Sequence, residues 1–187
     1  MSKTIAVSTS FAVPYLFTIC AIVLSVFGSL LCGSAAIASS FTGRVVGVTD
    51  GDTIKVMHNG EAINIRLAEI DCPEKSQAFG AQAKQFTSAL CFNRELRIVE
   101  VSHDRYGRTV AMVYLSDGEC LNETLVSKGF AWCYRKYCKR PEVIRLEEQA
   151  RMEHLGLWRD PAAIEPAQFR QEQRALHAHH PHNVPLT

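Results

Sequence analysis

Asp50, Asp52, Arg66, Asp71, Glu74 and Arg108 are four acids and two arginines whose types and order could carry chemistry. Two of the acids flank Gly51, and two more stand in Asp71-Cys72-Pro73-Glu74 with Arg66 just upstream. Clustered carboxylates repel unless a cation joins them. An oxygen-only donor set that needs no His or Cys side chain suits calcium or magnesium, and a loop carbonyl such as that of Cys72 could add a ligand. Arginine forks match the oxygens of a phosphate. Hydrolysis of a phosphodiester asks for charge neutralisation, transition-state binding and an activated water, and this set offers all three. Taken singly the residues are ordinary: Asp-Gly-Asp is usually a turn, Glu74 suits a helix start and Arg108 a surface salt bridge. Only their combination carries the reading.

The elements that must position them are short strands. Arg44-Val-Val-Gly-Val-Thr49 leads into the Asp50-Gly51-Asp52 turn, and Thr53 to His58 alternates apolar Ile54 and Val56 with polar neighbours. Asn59-Gly60 is a strong two-residue hairpin signal, so two antiparallel strands follow. Ile63, Ile65 and Leu67 share one face of the next strand, which sends Arg66 to the other, and Pro73 ends the ladder. Phe79, Ala83, Phe86 and Leu90 have helical spacing. Strands return at Arg94 to Val101 and Arg108 to Leu115. Asn122 is placed to cap a short helix that stops at Gly129, and Pro141 opens a helix burying Val143, Leu146, Ala150 and Leu155. The expected fold class is α+β with a mainly β core: a five-stranded Greek-key barrel of the oligonucleotide-binding type with about three helices.

Composition bounds the rest. The chain of 187 residues carries a formal charge of +1, and Lys3 is the only charged residue before Ser39, so residues 39–187 hold 19 basic and 19 acidic side chains. A polyanion must therefore be met by a local basic patch. Tyr15 to Leu31 is uncharged and ends near an Ala36-x-Ala38 site, which reads as a secretory signal in residues 1–38 with Ser39 first in the exported chain. The alternative is an uncleaved anchor, because this apolar run approaches the roughly 20 residues that span a bilayer. Residues 39–160 form the expected domain. Residues 161–187, with His177, His179, His180 and His182, read as a flexible tail. Cys72, Cys91, Cys120, Cys133 and Cys138 leave an odd number downstream of the leader, and sequence does not fix their pairing.

Asp50-Gly-Asp-Thr-Ile-Lys-Val56, followed after a gap by Arg66-Leu-Ala-Glu-Ile-Asp-Cys-Pro-Glu74, resembles the signature of the thermonuclease family, the staphylococcal-nuclease-like enzymes. Asp104-Arg-Tyr-Gly-Arg108 and Leu121 to Trp132 continue the likeness from about Arg44 to Trp158. The resemblance implies a calcium-dependent endo/exonuclease that cleaves DNA and RNA to 3′-phosphates. It implies calcium on Asp52, Asp71 and the Cys72 carbonyl, with Asp50 in the outer shell. Glu74 would position or deprotonate the attacking water, Arg66 and Arg108 would hold the phosphate, and Tyr106 would lie beside the nucleotide. In Trp132-Cys-Tyr-Arg-Lys-Tyr-Cys138 the family's two base-stacking tyrosines align with Arg135 and Tyr137, so one aromatic is retained in register. Interleaved aromatic and cationic residues there suit single-stranded nucleic acid. The loop after Glu74 is short, and Cys72 stands where the staphylococcal enzyme has threonine. The implied protein is a monomer, exported to the periplasm or medium, and touches a membrane only if the leader is retained. A silent nucleic-acid-binding barrel and a calcium-stabilised envelope module are the alternatives.

Overall fold

The structure, a computed structural model, describes residues 39–179. The leader-like segment up to Ala38, and His180 and His182, fall outside the described residues, within which no helix is long and apolar enough to cross a membrane. The elements run β1 (Ser40–Asp50), β2 (Thr53–His58), β3 (Glu61–Leu67), β4 (Ile70–Asp71), α1 (Gly80–Cys91), β5 (Glu95–His103), β6 (Thr109–Tyr114), α2 (Leu121–Ser127), β7 (Trp132–Cys133), α3 (Pro141–Met152), and α4 (Pro166–His179). A 3₁₀ turn, Gly156–Arg159, lies between the last two helices.

Five strands close a barrel in the order β1-β2-β3-β6-β5, while β4 and β7 make a small separate ladder. The hairpin signal works as expected: Asn59 and Gly60 take φ of 50° and 85°, the left-handed pair of a tight turn whose twist matches the strands. β3 then pairs in parallel with β6, and β1 pairs antiparallel with β5, which removes both open edges. Val45, Ile54, Val56, Ile65, Leu96, Ile98 and Val113 fill the interior. Each such aliphatic chain contributes about 1.5–3 kcal/mol on leaving water. Ala83 and Cys91 of α1, Leu121 and Leu125 of α2, and Val143 of α3 join the same core. The α+β barrel is as the sequence implies, with four α-helices among the described residues rather than about three.

Two expectations are corrected. Asn122 is not a helix cap, since the chain enters α2 through Cys120. It is buried, its Oδ1 accepts the Val113 N–H at 3.0 Å, and its Nδ2 donates to the Ala68 and Ala111 carbonyls at 2.9 and 3.2 Å. One side chain thus hydrogen-bonds buried main-chain groups on β6 and beside β3. Nor is the segment after Asp160 a featureless tail as far as His179: it carries α4. Pro166 suits a first helical turn, and the glutamines, arginines, alanines and leucine behind it are sound helix formers. A helix needs only one small anchor to dock, and Pro166 is buried while Phe169 is half-buried.

Candidate active site

Strand register gathers the charged residues at one end of the barrel. Thr53 lies opposite Arg66 in the β2–β3 ladder, and Ile65 and Arg66 lie beside Thr109 and Val110 in the β3–β6 ladder. Three strands therefore deliver Asp52, Arg66 and Arg108 to one place. The Leu67 N–H donating to the Asp52 carbonyl at 2.8 Å locks the first two together.

Arg66 is the centre of the cluster. Its Nη1 lies 3.1 Å from Asp52 Oδ2 and donates to the Leu67 carbonyl at 3.0 Å, while Nη2 donates to Asp71 Oδ1 at 2.9 Å. Burial alone would lower the pKa of this guanidinium, but the Asp52 and Asp71 carboxylates hold it above its ordinary value. Asp71 is 1% exposed, and burial pushes its carboxyl upward against the opposing pull of Arg170 and Arg66. Asp50, whose Oδ1 accepts the Asp52 N–H at 3.3 Å, is raised to about 6 by burial first and by the neighbouring Asp52 charge second. These acids are therefore crowded enough to cost energy in the absence of a balancing cation.

Close main-chain approaches hold the acids in place. β4 is only two residues long, but Ile70 and Asp71 pair with Cys133 and Trp132 of β7. The Cys72 N–H then donates to Asp52 Oδ2 at 2.8 Å, joining the first turn to the exit of β4. Gly51 permits this contact, because a Cβ there would come within 2.7 Å of the Cys72 Cβ. Thr87 of α1 donates its hydroxyl to the Gly51 carbonyl at 2.6 Å and pins the turn from the other side. Glu74 is set by the start of α1: a Cβ on Gly80 would fall 1.9 Å from the Glu74 carbonyl oxygen, so only glycine lets the helix begin so soon after it. The Glu74 N–H donates to Gln77 Oε1 at 3.1 Å.

Arg108 reaches the same mouth from the β5–β6 turn. Its Nε donates to Asp104 Oδ2 at 2.7 Å and its Nη1 to Thr53 Oγ1 at 3.4 Å. Asp104 also accepts the Tyr106 and Arg108 N–H groups, and these bonds with the Arg108 charge outweigh slight burial and hold its carboxyl below the usual range. Tyr106 is 68% exposed, with the Arg105 and Arg108 guanidiniums 4.8 and 5.7 Å from its ring. The β4–β7 ladder and the Tyr134 N–H donating to the Glu69 carbonyl carry residues 134–140 alongside the cluster. There Tyr137 is exposed and packs edge-on against Tyr134 at 4.9 Å. Arg135 is engaged: it pairs with Glu147, a wholly buried acid of α3 that also takes Arg151 at 3.0 Å. Lys136 and Lys139 remain exposed on this loop.

One residue at the site went unforeseen. Arg170 of α4 donates Nη2 to Asp71 Oδ2 at 2.8 Å, and Nη1 to Glu74 Oε1 at 2.7 Å and Asp71 Oδ1 at 3.2 Å. The Pro166 helix-start signal could have revealed the helix that bears it. A separate depression of about 740 Å³, lined by residues such as Phe79, Phe86 and Phe130, holds none of the acids. The chemistry lies at the charged mouth instead.

Among the described residues, no three His, Cys, Asp or Glu side chains already converge as a finished metal cage. The reason is visible, since Arg66 and Arg170 stand between the acids. Asp52 and Asp71 nevertheless face one guanidinium, so a single positive centre already bridges them. Four acids against those two arginines leave two net negative charges when all are ionised. Such an oxygen donor set fits a hard divalent cation that keeps part of its water.

Comparison with known proteins agrees with this geometry. The family described as staphylococcal nuclease homologue matches residues 64–160. A micrococcal nuclease of Shigella flexneri is 41% identical over 146 residues, covering 73% of this chain and 84% of that protein. An uncharacterized endonuclease of Haemophilus influenzae is 40% identical over 142 residues, covering 75% and 79%. The protein called ParB of Escherichia coli is 40% identical over 140 residues, covering 70% and 79%. The chain belongs to the staphylococcal nuclease homologues and is a nuclease that hydrolyses phosphodiester bonds in nucleic acid.

Proposed function

We propose that this nuclease is calcium-dependent, cuts both DNA and RNA by endo- and exonucleolytic attack, prefers single strands and leaves 3′-phosphate ends. The observation that carries the reading is Arg66 spanning Asp52 and Asp71 beside Glu74 and Arg108 at one barrel mouth. Asp52, Asp71 and the Cys72 carbonyl would hold the ion, with Asp50 behind them. Calcium would supply charge neutralisation for the phosphate and its developing negative charge. Glu74 orients or deprotonates the attacking water, and Arg66 and Arg108 bind the phosphate and the charge that grows on it. Tyr106, Tyr137 and Arg135 would contact the nucleotides, Arg135 by trading its Glu147 pair for a base or phosphate. Exposed Tyr137 between exposed cations supports the single-strand preference, because an unpaired base can stack while its phosphates are paired. The active unit is a monomer.

The test is an assay of the full-length chain, in mild detergent, on denatured and duplex DNA and on RNA. Calcium should support degradation to 3′-phosphate ends, with magnesium and chelator well below it and denatured DNA cut faster than duplex. Equal rates in chelator would refute the metal assignment. 5′-phosphate products would refute the proposed bond broken.

We also propose export, with cleavage after Ala38; the alternative is retention of residues 1–38 as a membrane anchor. The mass of the cell-exported protein should correspond to a chain beginning at Ser39. A full-length species confined to the membrane fraction would favour the anchor.

A further inference from the structure

We propose that α4 is a cation-displaceable latch: in the resting chain Arg170 takes the place of the divalent ion on Asp71 and of the water on Glu74, and cation binding expels it. This inference rests on the proposed cation site and adds a regulation of it. Both Asp71 oxygens and Glu74 Oε1 are occupied by the one guanidinium, and Asp71 Oδ1 also receives Arg66. Three of the roughly four lone-pair directions on Asp71 are then taken, both on Oδ1 and one on Oδ2, and Arg170 holds one on Glu74 Oε1, so an ion on Asp71 or a water on Glu74 must come in against a guanidinium already seated there. The guanidinium and the ion are therefore competitors for the same carboxylates.

The construction of α4 suits release. Its hold on the barrel is shallow: Pro166 is buried, Phe169 and Arg170 are half-buried, and most of residues 171–178 are exposed. Phe169 and Ile164 border a cavity of about 210 Å³ against Pro73, Phe79, Trp132 and Leu157, so the helix does not fill its seat. Gln77 couples that seat to the chemistry. Its Nε2 donates to the Ile164 carbonyl at 2.6 Å while its Oε1 accepts the Glu74 N–H. A helix whose ties to the described part of the barrel include an exchangeable ion pair and a loosely filled apolar seat has a low cost of local opening. A doubly charged ion gains more from the paired acids than a guanidinium does, so the exchange is set by cation concentration.

The experiment is calorimetric titration of the full-length chain, in mild detergent, with calcium chloride, comparing wild type with Arg170→Gln. A second readout is amide hydrogen exchange of residues 166–179 in wild type with and without saturating calcium. Loss of the competing charge-assisted pair should tighten calcium binding about tenfold, or about 1.4 kcal/mol. Calcium should also speed exchange across 166–179 in wild type. Equal or weaker calcium affinity in Arg170→Gln, or unchanged exchange in calcium-saturated wild type, overturns the latch and leaves the cation site standing. No calcium binding by either protein overturns both. The exchange measurement keeps the test valid even if the substitution disturbs folding.

Discussion

The chemistry of this chain depends on residues that hold several partners at once. Arg66 joins two acids, and Glu74 is fixed through its main chain to Gln77 while its side chain faces the cluster. The roles proposed for Glu74 and Arg108 are exerted mainly in the transition state, so their loss should lower the rate far more than the affinity. Glu74→Gln keeps shape and removes the base, and should cost about 10²–10⁴ in the cleavage rate. Arg108→Ala removes one donor to the developing charge, at about 10²–10³. Single-turnover cleavage and fluorescence anisotropy on the same single-stranded oligonucleotide separate the two effects. A fall in affinity proportional to the fall in rate would make these residues binders and not catalysts. The acidic and arginine residues were legible in sequence because turn chemistry and strand alternation fix where such side chains point. Arg170 was not, since its role is created by partners 96 and 99 residues away.

At the scale of elements, legibility followed periodicity. β2, β3 and the Asn59-Gly60 turn carry their own pattern, and the hairpin forms where that pattern puts it. β4 and β7 carry none: a two-residue strand has no period, yet that ladder fastens Asp71 and the 134–140 loop together. α3 shows the reverse failure, for its polar Glu147 sits fully buried among residues expected to be apolar. The Arg135 and Arg151 guanidiniums supply the pairing that a buried carboxylate requires, and the Arg151 guanidinium stacks in turn on Trp132 and Trp158. Asn122 likewise uses helix position for a tertiary task in place of a cap. What the sequence leaves hidden is a set of pairings whose partners are far apart along the chain. The closeness of Gly51 to Cys72 and of Gly80 to Glu74 belongs with them, because a glycine in sequence signals freedom without naming its neighbour.

The whole molecule is close to electrically neutral, so its nucleic-acid affinity must come from a small area. Of the basic side chains beside the site, Arg66, Arg140 and Arg170 are tied into acid pairs, and Arg108 is tied to Asp104. In the absence of the cation, with Arg66 and Arg108 still held by their acids, exposed Lys136 and Lys139, with Arg135 if it leaves Glu147, make about three cations available to phosphates. For a single strand, log Kobs falls with log[salt] by about 0.7 per phosphate neutralised, so three contacts give a slope of about −2. Anisotropy of a labelled oligonucleotide with Glu74→Gln in chelator, measured from low to physiological salt, checks this. A slope near −2 means the 134–140 loop carries the electrostatic contact. In Lys136→Ala the slope should become shallower by about 0.7, because one neutralised phosphate is lost. A wild-type slope steeper than about −5 would require an extended basic surface, and the local-patch account would fail. An aromatic such as Tyr137 adds stacking that salt does not weaken, so affinity should persist at high salt to the extent that bases, and not phosphates, hold the strand.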